Sequence, residues 1–97
     1  RLLEAEKVNY IAIDINPKYA IAWQGLGKVY HNQNQLDSAI VNYSKALSIS
    51  PNYSEVLYNR GVAYYNNKQP DLACIDWKKA VDLNYQPAIK VTKDYCK

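Results

Sequence analysis

His31 is the only histidine in the chain, and that removes most of the chemistry open to a protein of this composition. A nucleophile needs a base beside it, and no serine or cysteine stands at helical spacing from His31. The residues after it, Asn32 to Gln35, are amides rather than acids, so neither a general-acid pair nor a metal cluster forms there. Cys74 and Cys96 lie far apart, with no neighbouring Cys or His at metal-ligand spacing. Gly25, Gly27 and Gly61 fall inside helical patterns and build no phosphate-cradling loop. The expectation is therefore no catalytic residue, no metal, no cofactor and no enzymatic activity. Reduced thiols are the default for the two cysteines, with a disulfide as the lesser alternative. The absence of a disulfide framework favours an intracellular, cytoplasmic setting. Asn42-Tyr-Ser44 and Asn52-Tyr-Ser54 match a glycosylation tripeptide, but such matches are cheap and Asn42 falls mid-helix.

Composition narrows the class further. The chain has 97 residues, enough for one small domain, and 48% of them are apolar. Ten Tyr and two Trp stand without a single Phe. Tyrosine at that density suits packed helices that open onto a wet surface, because the ring packs while the hydroxyl stays hydrated. The net charge is only +3, with five bases against four acids in residues 1–53 and seven against five in 54–97. Neither half has the clustered basic face of a nucleic-acid binder, and Lys78-Lys79 reads as solvated helix surface. No apolar run approaches the roughly 18–20 residues of a membrane span. The chain opens on Arg1-Leu-Leu-Glu within a helical pattern, which reads as part of something longer.

The elements that carry these residues are all helical by period. Trp23, Leu26, Gly27 and Tyr30 form one stripe, and Leu36, Ala39, Ile40, Tyr43, Ala46 and Leu47 form the next. The short polar link His31 to Gln35 makes the two antiparallel neighbours. Ser50-Pro51 ends the second helix, and Pro70 stands where another should begin. Leu57 to Tyr65 and Pro70 to Leu83 repeat the pair. Trp23, Gly27, Ala39, Tyr43 and Ala46 map onto Leu57, Gly61, Ala73, Trp77 and Ala80, each 34 residues on. A period of that length means one structural unit used twice. Gly27 with Ala39, and Gly61 with Ala73, would let paired axes approach closely, with Tyr30, Tyr43, Tyr64 and Trp77 filling the space beside.

These residues resemble the tetratricopeptide repeat family, whose 34-residue signature is W-x2-L-G-x2-Y, then A-x3-F, then A and P. Residues 20–53 match at Trp23, Leu26, Gly27, Tyr30, Ala39, Tyr43, Ala46 and Pro51. Residues 54–87 match with changes: Leu57 for Trp, Arg60 for Leu, and Tyr85 for Pro, with Pro87 two residues later. Residues 1–17 align with the second helix of a preceding unit, with Asn9 in the aromatic slot, and residues 88–97 with a polar, capping-type helix. The resemblance implies an all-α chain of about six helices, stacked as a right-handed α-solenoid in a single domain.

It also implies a non-catalytic module that holds a peptide or partner segment in the concave groove lined by first helices. The groove residues expected on that model are Gln24, Lys28, His31 and Asn32 from the first unit. Glu55, Tyr58, Asn59, Val62, Tyr65 and Asn66 follow from the second, and Lys93 from the last helix. Ile21, Gly25, Ile89 and Thr92 complete that face. In carboxylate-clamp members of the family, Lys, Arg and Asn grip a terminal carboxylate. The equivalent positions here are Ile21, Gly25, Asn59, Ile89 and Lys93, of which Asn59 alone matches fully and Lys93 in part. Two alternatives stand beside a protein or peptide partner: self-association through exposed repeat ends, and, more remotely, nucleic-acid binding by helical repeats. The first reading expects no nucleic acid and no direct membrane insertion.

Overall fold

Helical period carries through the computed structural model, which describes residues 4–97 as six helices in chain order. They are α1 (Glu4–Ile15), α2 (Ala20–Asn32), α3 (Leu36–Ile49), α4 (Ser54–Asn66), α5 (Pro70–Asp82) and α6 (Gln86–Tyr95). Each packs against its neighbours in sequence, and the stack measures 41 × 24 × 17 Å. Leu2 and Leu3, at the start of the expected residues 1–17 helix, lie outside the described residues. Pro70 sits in the first turn of α5 and Pro87 in that of α6, where the missing N–H is not needed.

Small residues fill the centre. Ala39, Ala46, Ala63, Ala73, Ala80 and Ala88 are fully buried, together with Val56, Leu57 and Tyr43. The glycines act differently from the expectation. An ideal Cβ on Gly27 would lie 2.5 Å from Tyr43 Cδ1, and one on Gly61 would strike Trp77 Nε1. The aromatic ring of the second helix therefore lies directly on the glycine of the first, rather than beside a Gly–Ala crossing. Gly25 meets Asn9 of α1, a contact from α1 to the first helix of the following pair.

Arg60, the departure from the Leu signature position, is paired. Its Nε and Nη2 donate to Asp76 Oδ2 and Oδ1 at 2.7 and 2.8 Å, and Nη1 donates to Ser44 Oγ at 3.0 Å. Asp76 is only 3% exposed. This fork ties α4 to α5 and to α3 of the preceding pair, and its hydrogen bond to Asp76 holds the guanidinium pKa above its ordinary value. The Tyr64 ring covers the guanidinium at 5.5 Å.

The turns also repeat. Asn34 and Lys68 both end a first helix in the left-handed region, at φ 59° and 63°. The α5–α6 turn departs from that between α3 and α4. Where Pro51 stands in the earlier turn, Tyr85 supplies an N–H that bonds Ala80 O at 3.0 Å, with Asn84 at φ 63° before it.

One expectation is overturned. Cys74 and Cys96 are joined in a disulfide, and no free cysteine remains. Antiparallel packing explains it: the end of α6 returns to the start of α5, and the two Cα atoms lie 5.7 Å apart across a separation of 22 residues. The cytoplasmic reading thereby loses its premise, since it rested on reduced thiols. A second surface feature is the outer face of α1, where Val8, Ile11 and Ile15 are 58%, 59% and 80% exposed. None of the described helices is long and apolar enough to cross a membrane.

Gly27→Ala should lower the thermal midpoint, by about 1–3 kcal/mol of stability, although alanine is the better helix former by roughly 1 kcal/mol. An unchanged or raised midpoint would refute the ring-on-glycine contact as a constraint. Asp76→Ala should cost about 2–3 kcal/mol, because it leaves a partly buried guanidinium without its carboxylate, whereas Arg60→Leu combined with Asp76→Leu should recover most of that loss. Chemical denaturation of the three proteins checks the ordering.

Candidate groove on the first helices

The first helices α2 and α4 touch directly. Lys28 Nζ lies 3.2 Å from Glu55 Oε2, and the Asn66 Nδ2 amide lies 3.3 Å from His31 Nε2. No side-chain hydrogen bond joins α1 to α3 or α3 to α5 among the described residues. Side-chain hydrogen bonds thus join α2 to α4, so the two first helices present one continuous surface.

The expected groove residues separate into three groups. Lys28, His31, Glu55 and Asn66 lie together but satisfy one another across the two helices. The Lys28–Glu55 pair is half exposed and contributes at most about 1 kcal/mol. Gln24 is a correction: it is 5% exposed, and its Oε1 has no hydrogen-bond partner, so it is not presented to a groove. Nothing in the packing explains that orphaned oxygen. Asn59, Val62, Tyr58, Tyr65 and Asn32 remain at least partly accessible, as does Lys93 on α6.

Aromatic rings cluster around these residues. Tyr58 packs on Tyr85 at 5.7 Å between centroids, and Tyr65 packs on Tyr95 at 5.1 Å and on Trp77 at 5.8 Å. Tyr85 and Tyr95 were not among the sequence-expected groove residues, because both stand at positions where the repeat pattern lapses. Asn59 lies one residue beyond Tyr58 and makes no side-chain hydrogen bond among the described residues. Of the clamp positions, Ile21 is 53% and Ile89 41% exposed, so two aliphatic side chains stand where cations would be needed.

The tip of Tyr43 is close enough to feel this face. Burial pushes its hydroxyl pKa up to about 12, with the Glu55 charge adding to the effect. His31 packs edge-on against that ring at 6.5 Å, and partial burial pulls its pKa below the ordinary value. A neutral imidazole can accept from Asn66, whereas an imidazolium cannot. Because the folded state holds His31 less basic than the unfolded chain does, stability should fall as pH drops below about 6.5. His31→Gln should flatten that part of a stability–pH curve. An identical slope in the variant would remove His31 as its source.

Comparison with known proteins gives the same architecture. Models described as "TPR repeat" and "Tetratricopeptide repeat" match residues 30–68, 54–87 and 12–41. No curated protein matches the chain. Among solved structures, a crystal structure of MamA superposes with a TM-score of 0.77 at 32% identity, over 86% of this chain and 48% of that one. A second, titled crystal structure of MamA protein, gives 0.73 at 29% identity, over 95% and 48%. The chain thus spans about half the length of these relatives. Helix pairs, ring-on-glycine crossings and a 34-residue period coincide with matching repeat models across residues 12–87, and the chain belongs to the tetratricopeptide repeat family.

Proposed function

We propose that this chain is a non-catalytic binding module that holds an extended segment of a partner protein along α2, α4 and α6. The observation that carries the reading is the Asn59 amide, which lies between two groups of rings and has no side-chain hydrogen-bond partner among the described residues. An extended peptide presents N–H and C=O groups at regular intervals, and an asparagine can bond both. Tyr58 with Tyr85, and Tyr65 with Tyr95, offer flat apolar faces for the side chains on either side. Lys93 would add a cation at the α6 end of the path. Lys28 and Glu55, already paired, would set the rim rather than the floor.

A second reading has one observation in its favour. The Val8, Ile11 and Ile15 stripe on α1 is an apolar face suited to packing against another helix, including one from a second copy. It occupies a different surface from the groove, so the two readings are separable.

A peptide selected from a random library against the folded chain should shift the backbone resonances of α2, α4 and α6. Asn59→Ala or Tyr65→Ala should weaken it about tenfold or more, with the circular dichroism unchanged. Shifts confined to α1, α3 and α5 would contradict the groove reading. Concentration-dependent sedimentation abolished by Ile11→Lys would favour the assembly reading instead.

A further inference from the structure

We propose that the Cys74–Cys96 disulfide is a thiol-exchange site whose redox state determines whether α6 stays docked as the third helix of the groove. The functional consequence rests on the groove reading above; the exchange site itself does not. Three observations carry it. First, α6 is weakly held: it is 10 residues long, only Ala88 in it is buried, and α5 is its principal packing partner. Second, the disulfide joins Cys96, at the C-terminal end of α6, to Cys74 in α5, at the opposite end of the helix pair from the α5–α6 turn. The bond thus closes a hairpin that otherwise relies on its turn and on the Tyr95 ring against Tyr65 and Trp77. Third, the bond borders a cleft of about 350 Å³ that is also lined by Lys78, Lys97, Asp71 and Tyr95. Neither cysteine is among the buried residues.

The chemistry is that of dithiol exchange. A thiolate of a dithiol reductant attacks one sulfur, forms a mixed disulfide and expels the other cysteine as a thiolate, which takes up a proton. The reductant's second thiol then attacks the mixed disulfide. The protein leaves with two thiols and the reductant with a disulfide, a transfer of two electrons and two protons. Lys78 and Lys97 supply positive charge where the departing thiolate develops, and Asp71 tempers it. Once the bond is open, α6 loses its closed-loop constraint. Its open fraction should rise on the order of a hundredfold for a loop of this length. With α6 go Lys93 and the Tyr65–Tyr95 contact, and the groove loses one wall.

The test uses the 97-residue chain, air-oxidised and then treated with dithiothreitol. Alkylation and intact mass should find no reactive thiol before treatment and two after. Hydrogen exchange should show residues 86–95 losing protection on the order of a hundredfold on reduction, with residues 20–66 unchanged. Cys74→Ser with Cys96→Ser should reproduce the reduced pattern. Lys78→Glu should slow reduction while leaving exchange in the oxidised form unaltered. Two freely reactive thiols in the oxidised protein would overturn the proposal, as would equal protection of residues 86–95 in both forms. If α6 is released but a groove-bound peptide keeps its affinity, the regulatory link fails while the exchange site stands. A chain that binds no peptide in either form would refute the groove reading, and the exchange map would still judge this one.

Discussion

Everything in this structure depends on an aromatic ring seated on a glycine. Tyr43 lies on Gly27 and Trp77 on Gly61, each so close that a single added methyl group would collide. The crossing brings the paired helices together at a distance that bulkier residues would not permit. The neighbouring alanines are then sealed: Ala39, Ala46, Ala73 and Ala80 are all fully buried. Glycine inside a helix costs about 1 kcal/mol against alanine, and the ring contact offsets that cost. Because the contact recurs, the pairs stack with a constant relation, and the first helices fall side by side.

That alignment sets the first helices side by side without any dedicated loop. α2 and α4 come close enough for Lys28 to reach Glu55 and for Asn66 to reach His31. Some of the polar surface is thereby used up internally, and the accessible groups left on these helices are concentrated around Asn59 and the tyrosines. The Arg60–Asp76 fork works on the other side of α4. It replaces an apolar contact with a directional one that fixes α4 against α5 and reaches Ser44 of the pair before. With Asp76 buried and Arg60 partly exposed, desolvation offsets much of the attraction, so the fork's clearest effect is the fixed geometry of its three hydrogen bonds.

The repeat was legible because its residues do geometry. Trp23, Gly27, Ala39 and Tyr43, with their counterparts 34 residues on, announce helix pairs before any coordinate is known. The ring-on-glycine contacts fall 16 residues apart, Gly27 to Tyr43 and Gly61 to Trp77. The same 16-residue step leads from Arg60 to Asp76, so that pairing shares the register of the ring-on-glycine contacts. The family's groove pattern, applied to first-helix residues off the core stripe, includes Gln24, but packing by neighbouring elements buries it. The disulfide was hidden for a different reason. Its 22-residue separation becomes a short distance only once α6 is known to fold back along α5. The return is made through the Asn84–Tyr85 turn.

The central claim is that ring and glycine act as one unit in setting the helix spacing. A double-mutant cycle on Gly61 and Trp77 tests it most directly, with Gly61→Ala, Trp77→Leu and the pair compared by chemical denaturation. A smaller side chain at residue 77 should relieve the clash, so the double variant should be more stable than the sum of the single losses predicts, by about 1 kcal/mol or more. Strict additivity would contradict the account, because the two residues would then be acting independently of each other.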